Sequence, residues 1–192
     1  MKFQRSHICR HEAAHFVLAW ITRNRPERVV IRKNSGAVFI PEPLSLETEL
    51  AIYAAGPIID FQVMEPNLNP AIFIPAYVAL SNSRGKHDFC KMSAALKKYN
   101  IPAAQWWDTI SKTVIQTAEI LKDNEPFVQE IADFLNRYGS ADPATTTVLF
   151  QTLPQNPRSP IAGIHPIWRT RFFLEFMQQK NSQFGKFGKF GK

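Results

Sequence analysis

Cysteine is scarce in this sequence, which has two, Cys9 and Cys90, among 192 residues. Two thiols are too few for a disulfide scaffold, so we expect a reducing, cytoplasmic setting. Long apolar runs are also missing, because Asn, Pro and Ser interrupt the charge-free stretches before they reach the roughly 20 residues that span a bilayer. No signal-peptide pattern follows the basic residues at the start. We therefore expect a soluble protein without a transmembrane segment.

Acidic side chains are nearly absent from the C-terminal end. Residues 158–192 hold seven Lys or Arg and one acid, Glu175, whereas the rest of the chain is almost balanced, so the net charge of +7 belongs mostly to this end. Its FGKFGKFGK repeat places cations beside aromatic rings. We expect it to contact a protein partner or an anionic surface. No module for sequence-specific nucleic-acid binding is visible.

Apolar residues are plentiful enough for one core. At 45% apolar content, the 192 residues suit one compact domain followed by a tail. We place the domain at residues 1–140 and a Pro/Thr-rich linker at 141–163. An aromatic and basic helix is expected at 164–180, and a disordered tail at 181–192. The oligomeric state stays open.

Hydrophobic spacing predicts a mainly α (α+β) fold with a small β-hairpin after the first helix. The turn at Asn34-Ser35-Gly36, flanked by alternating apolar residues, predicts the hairpin. Gly56-Pro57, inside the second helix, predicts a kink or close packing. Helices are expected over residues 6–22, 45–64, from about 86 onward, 102–122 and 125–138.

The first predicted helix carries the HExxH motif His11-Glu12-Ala13-Ala14-His15. Histidines four residues apart lie one turn apart on the same face, so both imidazoles can hold one Zn²⁺. Glu12 can take a proton from zinc-activated water and return it to a leaving amine. A plain amphipathic helix with two surface histidines is the alternative, because the motif is short.

A catalytic zinc site needs a third protein ligand and one open position. His7 precedes His11 by one turn of the same helix, and three consecutive turns of a straight helix overshoot a single ion. We therefore expect His7 beside the site or at the surface. His87, His165 and the acidic residues are the other candidates.

Four stretches, in order, resemble the peptidase domain of the FtsH family, zinc proteases linked to AAA ATPases. They are HEAAHFVLAW, RVVIRKNSGAVFIPEP, AIYAAGPIIDFQV and SRGKHDFCKMSAAL, which resemble the family's HEAGH helix, strand pair, AGRAAEE helix and TGASNDLxxAT segment. The likeness covers residues 8–140. It departs at Ala14, where the family has Gly, and at residues 57–60, where the family has Arg-Ala-Ala-Glu.

The resemblance implies a zincin-like helical peptidase fold with Asp88 as the third zinc ligand. It also implies that the Asp60 carboxylate contacts the zinc ligands rather than the zinc itself. His165-Pro166 resembles a segment of HtpX-type zinc proteases, which would bring His165 near the site. The alternative, which we favour, is an ordinary helix start with Pro in its first turn. Neither the family's ATPase module nor its membrane anchor is seen in this sequence.

We interpret the chain as an ATP-independent zinc endopeptidase that cleaves a specific or unstructured protein substrate. The alternative is a catalytically silent binding module that keeps the zincin fold and engages a protein partner through its basic, aromatic C-terminus. Cys9 lies two residues before His11 and Cys90 two residues after Asp88. Regulation of the site by these thiols is therefore an open alternative to two plain cysteines.

Overall fold

Helices dominate the part of the chain that the computed structural model describes, namely residues 5–41, 44–64 and 86–153. The predicted mainly helical class with one small hairpin is confirmed. The loop expected over 65–82, His165, the helix at 164–180 and the tail at 181–192 lie outside the described residues. The elements are α1 (Arg5–Ile21), β1 (Arg28–Ile31), β2 (Gly36–Phe39), α2 (Leu46–Met64), α3 (Lys86–Lys98), α4 (Ala103–Asp123), α5 (Glu125–Tyr138) and α6 (Pro143–Thr152).

Helix α1 lies at the centre of the core. Every residue from Glu12 to Ile21 is buried, so the helix has no solvent-facing side over its second half. It packs against α2 on one side and α5 on another, where the Trp20 and Phe127 rings meet edge to face at 5.6 Å. The HExxH motif is therefore enclosed by other elements rather than displayed on a surface helix.

Strands β1 and β2 pair antiparallel, with Val29 opposite Val38 and Ile31 opposite Gly36. The far edge of β1 is occupied by the segment after α5. The amide of Val29 donates to the carbonyl of Ala141 at 2.9 Å, and the amide of Ala141 donates back at 2.8 Å. The hairpin is thus held from the β1 side, and β2 is its outer strand.

Residues 141–152 differ from the expected linker, because they belong to the fold. After the bridge to Val29, Asp142 caps α6 by accepting a hydrogen bond from the amide of Thr145 at 2.8 Å. Thr146 is fully buried and donates to the carbonyl of Glu27 at 3.1 Å. The Pro and Thr content that suggested a linker here reflects a capped helix start with Pro in the first turn.

The C-terminal end of α3 contacts the start of α2. Lys98 Nζ lies 2.6 Å from Glu49 Oε1, and the Tyr99 hydroxyl donates to the carbonyl of Leu44. The other end of α3 begins at Lys86, where the sequence predicted a helix start, and carries Asp88 in the first turn. Within the described ranges, no helix combines the length and apolar content needed to cross a membrane.

Candidate metal centre

Two side chains of α1 and one from the distant α3 meet at one point between the two helices. His11 Nε2 and His15 Nε2 are 3.1 Å apart, and Asp88 Oδ2 lies 3.3 Å from the first and 3.9 Å from the second. All three residues are partly or fully buried, and their atoms lie close enough together to hold one metal ion. A tetrahedral zinc site with bonds of about 2.0–2.1 Å has neighbouring ligand atoms about 3.3 Å apart.

The far nitrogen of each imidazole is already hydrogen-bonded. His15 Nδ1 lies 2.6 Å from the carbonyl oxygen of Ile52, which can only accept, so Nδ1 carries the proton. His11 Nδ1 faces Asp60 Oδ2 at 3.0 Å and donates in the same way. Both rings therefore turn Nε2 toward the cluster, the orientation that such hydrogen bonds impose on metal-binding histidines.

The converging atoms are all electron-pair donors. With a proton on each Nδ1, a neutral His11 and a neutral His15 point lone pairs at each other and at the Asp88 carboxylate. Such an arrangement is repulsive unless a cation lies among the three. A proton on one ring or a metal ion meets this need.

The electrostatics of the cluster favour positive charge at this point. Burial opposes protonation of His11, but hydrogen bonds to Asp60 and Asp88 outweigh it and raise the pKa of His11 well above its ordinary value. Burial, with the charge of His11 adding to it, lowers the pKa of His15 to about 4. Although burial resists ionisation of Asp88, its hydrogen bond with His11 and the other nearby cations hold the pKa of Asp88 at about 2.

Two glycines let the surrounding backbone approach the motif. A Cβ atom on Gly56 would lie 2.5 Å from His15 Nε2 and closer still to the His11 ring. A Cβ on Gly36, at the start of β2, would lie 2.6 Å from Glu12 Oε1. The predicted close packing at Gly56 is thus seen, and its partners are the two imidazoles.

Glu12 is buried beside the cluster, with 5% of its surface exposed. Burial raises the pKa of Glu12 to about 7, and the carboxylates of Asp88 and Asp60 add to the rise while His11 and Lys91 oppose it. A carboxyl group with this pKa exchanges a proton readily near neutral pH, as a general base and acid must.

The cluster opens onto a cleft of about 470 Å³ between α1, β2, α2 and α3. His11, Glu12, His15 and Asp88 all line this cleft. One wall is β2, and His7, His87 and Lys91 contribute basic side chains to the lining. His7 is exposed and does not belong to the converging set.

The structure also gives the positions of Asp60 and the two cysteines. Asp60 Oδ2 lies 3.0 Å from His11 Nδ1, and its role in supporting a metal ligand stays a prediction. Neither cysteine lines the cleft, since Cys9 is buried in the core and Cys90 is exposed. The sequence does not single out Gly36, Lys91 or the carbonyl of Ile52, because a turn glycine, a helix lysine and a backbone oxygen carry no distinguishing sequence signal.

No family model matches this chain, and no curated protein matches it.

Proposed function

We propose that this chain is a zinc endopeptidase of zincin-like helical fold, akin to the FtsH-type peptidase domain, in which His11, His15 and Asp88 hold Zn²⁺. One observation carries the proposal. Three partly or fully buried electron-pair donors converge, and the far nitrogens of both imidazoles are held by Asp60 and by the carbonyl of Ile52. A backbone glycine approaches both imidazoles so closely that a Cβ atom there would displace their rings. This donor set of two imidazoles and one carboxylate is typical of catalytic zinc.

The residues around the cluster suit hydrolysis of a peptide bond. Zinc, when bound, supplies Lewis acidity that brings the pKa of water to about 7. Glu12, whose own pKa is about 7, takes the proton from that water and delivers it to the departing amine nitrogen. Asp60 and the Ile52 carbonyl keep the two imidazoles oriented throughout.

The outer edge of β2 supports an extended substrate. Val29 and Ile31 direct their amides away from β2, to Ala141 and to the Ser140 hydroxyl. In an antiparallel ladder the residues opposite them, Val38 and Gly36, then direct their own N–H and C=O groups away from β1. No backbone among the described residues pairs with this edge of β2.

A peptide bound along β2 as a further strand would lie in the same cleft as Glu12, which contacts Gly36. Only an extended segment offers a free backbone for such pairing. The preferred substrate is therefore an unstructured region or a loop, which needs no ATP-driven unfolding.

The test joins metal content with cleavage. Elemental analysis should find about one zinc in the wild type and in Glu12→Gln, and much less in Asp88→Ala. The wild type should cleave casein, an unstructured protein, and Glu12→Gln should not. Full cleavage by Glu12→Gln would reject the mechanism. Zinc binding without any Glu12-dependent cleavage would favour the silent binding module.

A further inference from the structure

Lys91 stands on the cleft side of the cluster. It follows Asp88 by three residues on α3, and its Nζ lies 3.8 Å from Asp88 Oδ1, too far for a hydrogen bond. The ammonium also lies over the Tyr53 ring, 5.4 Å from its centre. Among the described residues, Lys91 is the one Lys or Arg that lines the cleft.

The two oxygens of Asp88 face different partners. Oδ2 points to the Nε2 atoms of His11 and His15, whereas Oδ1 points to Lys91. The Asp88 carboxylate therefore lies between the Lys91 ammonium and the two histidine Nε2 atoms. Burial is the largest influence on the pKa of Asp88 and of Glu12, and Lys91 is among the groups that oppose it by favouring the ionised form of both.

We propose that Lys91 is a catalytic residue of the endopeptidase, and that its ammonium donates a hydrogen bond to the substrate carbonyl oxygen as that oxygen becomes negatively charged. The inference rests on the proposed function. A positively charged donor aimed at the developing charge, inside a partly enclosed cleft, stabilises the transition state more than the substrate.

The proton balance of the reaction is unchanged by this role. Water adds its oxygen to the carbonyl carbon, and the C–N bond breaks. Glu12 moves one proton from the water to the leaving nitrogen. Lys91 keeps its three protons and contributes a hydrogen bond alone, with the Tyr53 ring beneath it as a cation–π support.

Three variants separate this role from support of Asp88. Lys91→Met removes the charge and keeps the length of the stem, and Lys91→Arg restores a cation. Lys97→Met is the matched control, because Lys97 is on the same helix but lies over Trp106, away from the cleft lining. For each, chelator competition gives zinc affinity, and a fluorogenic casein-derived peptide gives kcat and KM.

Lys91→Met should lower kcat about 100-fold, with KM and zinc affinity within about threefold of the wild type. Lys91→Arg should recover part of the loss, and Lys97→Met should lose nothing. A binding readout is independent of turnover. The zinc-loaded variant should bind a phosphinic peptide, whose tetrahedral PO₂⁻ group mimics the charged state, at least tenfold more weakly. Its affinity for a thiol peptide of the same sequence should not change.

Unchanged kcat and unchanged phosphinic affinity in Lys91→Met would overturn the inference. So would a loss of zinc affinity that matches the loss of kcat, because Lys91 would then only position Asp88. Failure of the proposed function looks different, since the wild type itself would then bind no zinc or leave casein intact with zinc bound.

Discussion

Replacing Gly56 with Ala adds one methyl group where two imidazoles meet the backbone of α2. The new Cβ would lie 2.5 Å from His15 Nε2 and closer to the His11 ring. Carbon and nitrogen atoms that are not bonded settle about 3.5 Å apart, so the rings must retreat by about 1 Å. Zinc bonds tolerate shifts of about 0.2 Å. The variant should therefore lose effective binding by at least one histidine.

We expect Gly56→Ala to weaken zinc binding at least 100-fold, which corresponds to about 2.7 kcal/mol. The metal-free fold should suffer less. Ala is favoured over Gly inside a helix by about 1 kcal/mol, which offsets part of an overpacking cost of about 1–3 kcal/mol. The zinc-free variant should thus unfold cooperatively, at a temperature close to that of the wild type.

Chelator competition measures the zinc affinity, and thermal unfolding with and without zinc gives a second readout. The wild type should gain stability from zinc, whereas Gly56→Ala should gain little. Ala54→Ser is the control, since it also enlarges a fully buried small residue of α2 by one atom. A Gly56→Ala variant that binds zinc as the wild type does would refute the placement of both imidazoles.

Three further changes probe other parts of the site. Asp60→Ala should weaken zinc binding about 10- to 100-fold without abolishing it, by chelator competition, because His11 loses the carboxylate that orients it. In the metal-free protein, burial holds the pKa of Glu12 at about 7. Between about pH 4.5 and 7 the folded protein therefore binds a proton at Glu12 that the unfolded chain does not. The contribution of Glu12 to stability falls as pH rises through that window. Denaturant unfolding of Glu12→Gln should therefore show its free energy of unfolding rising relative to the wild type, by up to about 3 kcal/mol from pH 5 to pH 8, and a difference that is constant with pH would contradict the burial argument. Val38→Pro removes an outward amide of β2 and should raise KM for the casein-derived peptide about tenfold with zinc content intact, whereas Ala37→Pro removes an amide that faces β1 and should lower the unfolding temperature instead.

Helical spacing predicted most of the described elements within one or two residues, because each depends on local backbone periodicity. The same periodicity left open a plain amphipathic helix with two surface histidines, because local spacing does not report what packs around α1. Burial on all sides arises only once α2, α5 and the hairpin pack around it. The start of the expected linker was misjudged because Pro and Thr are common both in linkers and at capped helix starts, and contact with Val29 and Glu27 decides between them.

The pairing of His11 with His15 follows from the sequence, because residues four apart on an α-helix share one face whatever surrounds it. Position along the chain does not place Asp88 at this point, and only the resemblance suggested it. The packing of separate helices decides three features of the site. It brings α3 to the histidines, it places the Ile52 carbonyl where His15 hydrogen-bonds to it, and it puts Gly56 against both rings. The pKa of Glu12 also depends on tertiary packing, since burial by other elements raises it to about 7. Local geometry lets two imidazoles face one way, and tertiary packing supplies the third donor, the orientation and the low polarity that the proposed chemistry needs.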